Sequence, residues 1–223
     1  MFCSKCGSAL VENAKFCANC GMGTINTNAS VDQISEKAKK ASLDAFNTFK
    51  IFSTNPVGNL GIAYSNLTSN QIIIVSVIFI IISVLMTTIG IDSIITNVLG
   101  YYSPKTFDLF LSSLLIPLAF FVVISLVSSI KNQKFSYIGE LFIASVFNLP
   151  LGFFFLLTSI FSLKNMEVIL ALLFFLITYS ILLLFSGCVK ILNFSEKVST
   201  ILVPVIQLIS FWLVSVLFRT IIL

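Results

Sequence analysis

The sequence has no histidine, a single tryptophan and few charged residues, and each shortage narrows the range of functions. Without histidine, the chain lacks the commonest general base and the commonest ligand of catalytic metals. Charged residues make up 10% of the 223 residues, against roughly 25% in soluble domains, while hydrophobic residues make up 57%. This balance excludes an ordinary soluble enzyme and excludes disorder over most of the chain. The excess of apolar side chains requires a lipid environment.

The 13 basic and 9 acidic residues leave a net charge of +4 that is scattered along the chain. Nucleic-acid binding depends on dense basic patches that displace counterions, so we expect no nucleic-acid partner. The sequence also contains no glycine-rich phosphate loop, no G-x-S-x-G elbow and no H-E-x-x-H motif. We therefore expect a protein that is not an enzyme, and we assign no catalytic residue, no organic cofactor and no small-molecule substrate.

Four of the five cysteines lie near the N-terminus in two C-x2-C-G motifs. Two residues between the cysteines allow a tight turn that directs both sulfurs at one ion, and the glycine permits a left-handed backbone. Two such turns give tetrahedral four-sulfur coordination, which is a preferred structural site of zinc. We therefore predict one structural Zn2+ held by Cys3, Cys6, Cys17 and Cys20. The alternatives are an iron site and a redox pair of dithiols.

The predicted zinc site limits what the N-terminal head can do. Four protein thiolates leave no open coordination position, so the metal is expected to be structural, and the small head is expected to fold only with metal bound. Thiolate ligands persist in a reducing compartment, which favours a cytosolic N-terminus. The segments Met1–Gly7 and Phe16–Gly21 resemble the short zinc ribbon that begins many bacterial membrane proteins.

A linker follows the head. Residues 22–31 are mostly small and polar, which is typical of a flexible tether. Ser30 and Gln33 have the spacing of a capping box, and no glycine or proline occurs between Asp32 and Phe52. We predict an amphipathic helix over about 32–52, ended by Asn55-Pro56 and Gly58. Its apolar face contains Ile34, Ala38, Ala41, Ala45, Phe49 and Phe52. This helix either lies among lipid headgroups, with its lysines near anionic lipid, or packs on the membrane domain.

Five long apolar runs complete the chain. They cover residues 72–91, 109–130, 141–163, 168–189 and 198–218. Each is close to the roughly 20 residues that an α-helix needs to cross a bilayer, and lipid favours helices because they satisfy their own backbone groups. We predict an all-α membrane protein, a five-helix transmembrane bundle preceded by a small zinc ribbon. Its domains are the ribbon over 1–23, the linker over 24–70 and the five-span domain over 71–223.

The basic residues indicate the orientation. With the N-terminus inside, ten of the 13 lysines and arginines fall in the cytosolic segments and three fall outside. The three outside are Lys105, Lys164 and Arg219. Basic residues are enriched in cytoplasmic loops, so we expect a multi-pass protein of the cytoplasmic membrane with a cytosolic N-terminus and an external C-terminus.

Polar groups that suggest chemistry within the spans are few. Asp92, Asp108, Glu140 and Glu167 all lie at span ends. Asn148 lies inside the third span, shortly before Pro150, and has two interpretations. Either the helix breaks there and its freed carbonyls line a small transport cavity, or Asn148 bonds across a pair of helices near a tolerated kink. For Cys188 we favour a packing role over a reactive or palmitoylated thiol.

The chain as a whole resembles the Yip family of small membrane proteins, which in eukaryotes bind trafficking GTPases. The resemblance rests on Asn55–Gly58 before the first span, on the third span around Phe147–Leu151, and on the five-span pattern over residues 45–223. It implies a cytosolic N-terminal region, five spans and an external C-terminus. The D-L-Y-G-P motif of the eukaryotic members is absent, so no functional residue is carried over.

These observations favour a non-enzymatic membrane protein whose ribbon docks a protein partner or organises oligomers at the membrane, in trafficking or membrane organisation. The expected partners are membrane lipid and a protein, either a different one or a second copy of the chain. The alternative function is a small-molecule transporter or permeability factor with the ribbon as its regulatory domain. A polar cavity around Asn148 would favour transport, and a continuous apolar bundle would count against it. An intramembrane enzyme would need carboxylates such as Glu140 and Glu196 to converge.

Overall fold

The computed structural model describes residues 2, 6–9, 17–21, 27–97, 100, 105–130, 137–161 and 165–222. Within these ranges the chain forms seven helices and no extended strand; Phe2 and Ala9 make an isolated antiparallel bridge. The helices are α1 (Thr27–Thr54), α2 (Pro56–Ser65), α3 (Ser69–Asn97), α4 (Thr106–Ile130), α5 (Tyr137–Ile160), α6 (Met166–Lys190) and α7 (Glu196–Ile222). The chain divides into two compact units, Met1–Lys40 and Ala41–Leu223. The predicted domain limits stay a prediction.

Helices α3 to α7 have the length and composition of membrane spans. Within the described part of the chain, five helices are long and apolar enough to cross a bilayer. Apolar side chains occur on every side of these helices, as expected where the outer surface faces lipid and the inner surface faces other helices. The predicted all-α architecture with five helices of membrane-span length is therefore confirmed for the described residues.

Helix α5 lies at the centre of the bundle. It packs against α3, α4 and α6, while α7 packs against α4 and α6. Small residues bring α3 and α5 close together: a Cβ on Gly152 would lie 2.8 Å from the Ser83 carbonyl oxygen, and a Cβ on Gly90 would overlap the backbone of Phe155. Apolar surface gives helices no reason to associate inside lipid, so close backbone packing of this kind drives the association.

Three helices continue through an internal proline. Pro117, Pro150 and Pro204 lie inside α4, α5 and α7. Each removes one helix hydrogen bond, which neighbouring helices and polar side chains can compensate in a membrane bundle. Helix α5 therefore runs unbroken from Tyr137 to Ile160, and the broken-helix interpretation of the third span is not what the structure has.

The linker contains a second helix that the sequence interpretation missed. Asn55 and Pro56 end α1, as predicted, but they also begin α2: the Asn55 side chain accepts a hydrogen bond from the Gly58 N–H at 2.8 Å, and Pro56 occupies the first turn. Asparagine followed by proline is a known helix start, so the signal was present. Helix α2 packs on α6, where Lys190 Nζ donates to the carbonyls of Val57 and Gly58 at 3.0 and 2.7 Å.

Helix α1 begins at Thr27 and extends to Thr54. Its second half packs on the membrane domain: Ala45 and Phe52 are buried in a cluster with Val75 and Phe79 of α3. At the start of α3, Gln71 Nε2 donates to the Asp44 carboxylate at 2.9 Å. For residues 41–54 these contacts agree with the packing interpretation of the linker helix.

Candidate metal centre

Three of the four predicted ligands converge in the N-terminal head. The sulfur atoms of Cys6, Cys17 and Cys20 lie within 4.8 Å of one another, and the distance from Cys6 Sγ to Cys17 Sγ is 3.6 Å. Tetrahedral zinc with Zn–S bonds of ~2.3 Å places its sulfurs roughly 3.8 Å apart. A disulfide would need about 2.05 Å, so this pair is arranged for a shared metal ion and not for a covalent bond. The fourth predicted ligand, Cys3, lies outside the described residues.

Each C-x2-C turn ends in a glycine with a left-handed backbone. Gly7 has φ +69° and Gly21 has φ +68°, a region that side chains strongly disfavour. The Gly21 N–H donates to the Cys17 carbonyl at 2.9 Å and closes the second turn. The glycines therefore have the left-handed backbone that the sequence predicted for them. The second turn directs the sulfurs of Cys17 and Cys20 toward the same point.

Ser8 adds a polar contact that the sequence interpretation missed. Its hydroxyl oxygen lies 2.9 Å from Cys6 Sγ and 3.2 Å from Cys17 Sγ. Hydrogen bonding with this hydroxyl, whose single hydrogen can be donated to one sulfur at a time, lowers the pKa of Cys17 to about 6, with smaller contributions from the backbone N–H groups of Cys20 and Asn19. The same hydroxyl lowers the pKa of Cys6. The head therefore favours thiolates, the form that binds metal. The sequence signal for this contact was a serine two residues after a ligand cysteine.

The comparison with protein families identifies the head. A zinc-ribbon domain model matches residues 2–23, the segment that contains all four N-terminal cysteines. The match and the cysteine cluster together assign one structural zinc ion to the head, in agreement with the predicted cofactor. The fold and the site define a class, a multi-pass membrane protein with an N-terminal zinc ribbon. No curated protein and no solved structure matches the chain, and the Yip-family resemblance over residues 45–223 stays a prediction.

Asn148 is bonded within its own helix. Its side chain is buried, and Nδ2 donates to the Ala144 carbonyl at 2.7 Å. The residue does not line the large groove of the bundle, although Leu149 and Pro150 do. This arrangement is close to the simpler interpretation of Asn148, except that its partner is a carbonyl of α5 and not of a neighbouring helix.

Glu140 differs from the other acidic residues at span ends. It lies in the first turn of α5, it is fully buried, and neither carboxylate oxygen makes a hydrogen bond within the described part of the chain. The Ser128 hydroxyl approaches the carboxylate without meeting hydrogen-bond geometry. Burial of an acid without partners is costly. The sequence did not indicate this burial, because Glu140 lies at the end of a predicted span, where a carboxylate ordinarily reaches water. Glu196, the carboxylate that an intramembrane enzyme would need to bring beside Glu140, is exposed.

Cys188 is fully buried in the bundle core. It belongs to a cluster that includes Phe120, Phe147, Leu184 and Ile206. A thiol that is enclosed in this way behaves as a small apolar side chain and is protected from acylation and oxidation. The contacts of Cys188 therefore agree with its expected packing role.

Proposed function

We propose that this protein is a non-enzymatic integral membrane protein whose cytosolic zinc ribbon binds a protein partner, or a second copy of the chain, at the membrane surface. The observation that carries the proposal is the exposure of Phe2, whose side chain is 76% exposed on the ribbon. Exposed aromatic side chains on small rigid modules are frequent anchors of protein interfaces. Zinc would hold the backbone that presents this side chain.

The closed metal site supports binding over catalysis. A zinc ion with four cysteine ligands has no position for water or substrate, so it contributes rigidity and no reaction chemistry. The described cysteine cluster contains no neighbouring base that would activate a nucleophile. A small module that is rigid and closed is suited to recognition.

The proposed orientation places the ribbon in the cytosol of the cell, below the cytoplasmic membrane. Ten of the 13 basic residues then lie on the cytosolic side. This agrees with the reducing conditions that thiolate ligands require. A partner of the ribbon would therefore be a cytosolic protein or the cytosolic face of another membrane protein.

Transport, with the ribbon as regulator, has less support. The condition set for it was a polar cavity around Asn148, but that amide is bonded to the Ala144 carbonyl. The large groove of the bundle is lined almost entirely by apolar side chains, including Phe79, Phe153 and Leu176. An apolar surface offers no groups that could replace the hydration shell of a polar solute.

The proposal is tested by purifying the full chain from gently solubilised membranes and measuring zinc content and co-purifying proteins. A Cys3→Ser/Cys6→Ser double variant should lose zinc and the partner. A Phe2→Ala variant should keep zinc and still lose the partner, because it removes only the exposed anchor. Asn19→Ala, an exposed change on the same ribbon, should keep both.

A second tagged copy in the same cells distinguishes a different partner from self-association. Recovery of the untagged chain by the tagged chain, lost in Phe2→Ala, indicates an oligomer. If Phe2→Ala and the double cysteine variant retain the same co-purifying proteins as the native chain, the docking proposal fails.

A further inference from the structure

A groove of about 840 Å³ opens on the side of the membrane domain. Its back is α5, its two walls are α3 and α6, and α1 closes one end; we call it the lateral groove. The walls contribute Ile82 and Met86 from α3 and Leu172 and Phe175 from α6, with Pro150 and Phe153 from α5. Because α3 and α6 both pack on α5 and make little contact with each other, a gap remains between them.

The lateral groove lies at the depth of the hydrocarbon layer. Helices α3, α5 and α6, which form its back and walls, are candidate spans, and its α3 wall extends from Ile78 to Met86. At 1.5 Å per residue this is roughly 12 Å, most of the ~15 Å that one leaflet contributes to the bilayer core. A cavity lined by apolar side chains at this depth is suited to hydrocarbon, and its volume is in the range of roughly 300–1,000 Å³ found for small-molecule sites.

The end of the groove formed by α1 lies at a membrane surface. Asp44 of α1 bonds Gln71 in the first turn of α3, so α1 crosses the bundle where α3 begins. Ala45, Phe49 and Phe52 of α1 line the groove. A lipid whose chain enters the groove would therefore have its headgroup beside α1.

A polar hollow lies on the adjoining face of α1. It is lined by Asn47, Lys50, Ile51, Thr54 and Asn59, and Lys50 is the one charged side chain among them. Successive residues of an α-helix are rotated by about 100°, which places Lys50 beside Phe46 and Ser53 on the surface of α1. Phe46 and Ser53 line the groove and Lys50 lines the hollow, so Lys50 lies at the border between the two. The Lys50 side chain is exposed.

We propose that the lateral groove binds one acyl chain of an anionic phospholipid and that Lys50 contacts the phosphate. The apolar lining accounts for the chain, and Lys50, the one charged side chain of the adjoining hollow, accounts for the charge of the headgroup. Asn59 supports this end of the groove: its Nδ2 donates to the Ile51 carbonyl and the Thr54 hydroxyl at 3.1 Å each, which joins α1 to α2. The site is independent of the ribbon and of any partner that the ribbon binds.

Fluorescence quenching by brominated lipid tests the proposal on the full chain. Trp212 is the single tryptophan, so a Trp212→Phe background allows one reporter to be placed at will. Phe175→Trp places it in the lateral groove, and Phe174→Trp places it one residue away on a lipid-facing surface; the two side chains are 70% and 74% exposed. Both changes keep an aromatic side chain at the same depth.

The reporters are compared in nanodiscs of equal parts phosphatidylglycerol and phosphatidylcholine, with bromine on the chains of one lipid at a time. At position 175 brominated phosphatidylglycerol should quench roughly fivefold more effectively than brominated phosphatidylcholine, the preference that one lysine near the membrane surface provides. At position 174 the two lipids should quench equally. Lys50→Gln should remove the preference at position 175, whereas Lys105→Gln, at an exposed lysine outside the groove, should leave it unchanged.

Three results would overturn the proposal. Equal quenching by both lipids at position 175 would mean that the groove holds only bulk lipid. Protection of position 175 from both lipids would mean that protein fills the groove, as a helix from a second copy would. If the preference for phosphatidylglycerol at position 175 survives Lys50→Gln, then Lys50 is not the residue that contacts the headgroup.

Discussion

At the scale of single residues, Ser8 is the side chain whose role is most specific. It lies within hydrogen-bond distance of two predicted zinc ligands, Cys6 and Cys17. We expect Ser8→Ala to lower zinc affinity roughly 10- to 100-fold, as is typical for partners of metal ligands, because the thiolates lose a donor. Competition with a chromophoric chelator on the purified full chain measures this affinity.

Asn19→Ala is the matched control for this prediction. Asn19 supports Cys17 through its backbone N–H, which alanine keeps. Its zinc affinity should therefore equal that of the native chain. If Ser8→Ala also binds zinc with unchanged affinity, the hydroxyl is a bystander and the backbone N–H groups alone stabilise the thiolates.

At the scale of elements, the contact between α3 and α5 depends on glycine. A Cβ on Gly152 would lie 2.8 Å from the Ser83 carbonyl, so Gly152→Leu must separate the two helices. Overpacking of this kind costs roughly 1–3 kcal/mol. We expect a clear fall in the thermal unfolding temperature of the detergent-solubilised protein.

Val77→Leu is the control for the helix contact. Val77 is exposed on α3, so a larger side chain at this position enters lipid or detergent and should leave the unfolding temperature nearly unchanged. An equally stable Gly152→Leu variant would show that α3 and α5 can separate without loss of stability, which would contradict the importance of their close packing.

At the scale of the whole molecule, the orientation in the membrane follows from the distribution of charge. Lys105 precedes α4, and Lys197 lies in the first turn of α7. The proposed topology places them on opposite sides of the membrane, and both side chains are exposed. With a membrane-impermeant maleimide, Lys105→Cys should be labelled in intact cells and Lys197→Cys only after permeabilisation. The positive-inside bias is the physical reason.

The native cysteines should not react with the maleimide in intact cells. Cys188 is fully buried, and the ribbon cysteines are proposed to lie in the cytosol as zinc ligands. The native chain should therefore show no labelling in intact cells. The reverse pattern, with Lys197→Cys labelled first, would invert the proposed topology and place the ribbon outside.

The sequence was sufficient to predict the features that depend only on short segments of the chain. The five spans are long apolar runs, and lipid permits such runs only as helices, so the fold class followed directly. The zinc site followed from the spacing of cysteine and glycine. Helix α2 was missed because Asn55-Pro56 was interpreted as a stop for α1, although the same pair begins a helix. Pro150 does not break α5, because the helix lies inside the bundle, where neighbouring groups can compensate for the lost hydrogen bond.

The amino-acid sequence by itself determined that this is a membrane protein with five helical spans and a zinc ribbon, since hydropathy, helix length and cysteine spacing are properties of short segments. Only the tertiary structure decided which helix lies at the centre, that Glu140 is enclosed, and that a groove remains between α3 and α6. The reason is physical: each span carries apolar side chains on every side, so its hydropathy pattern does not reveal which face meets a neighbour. That choice is made by small residues and close packing between helices.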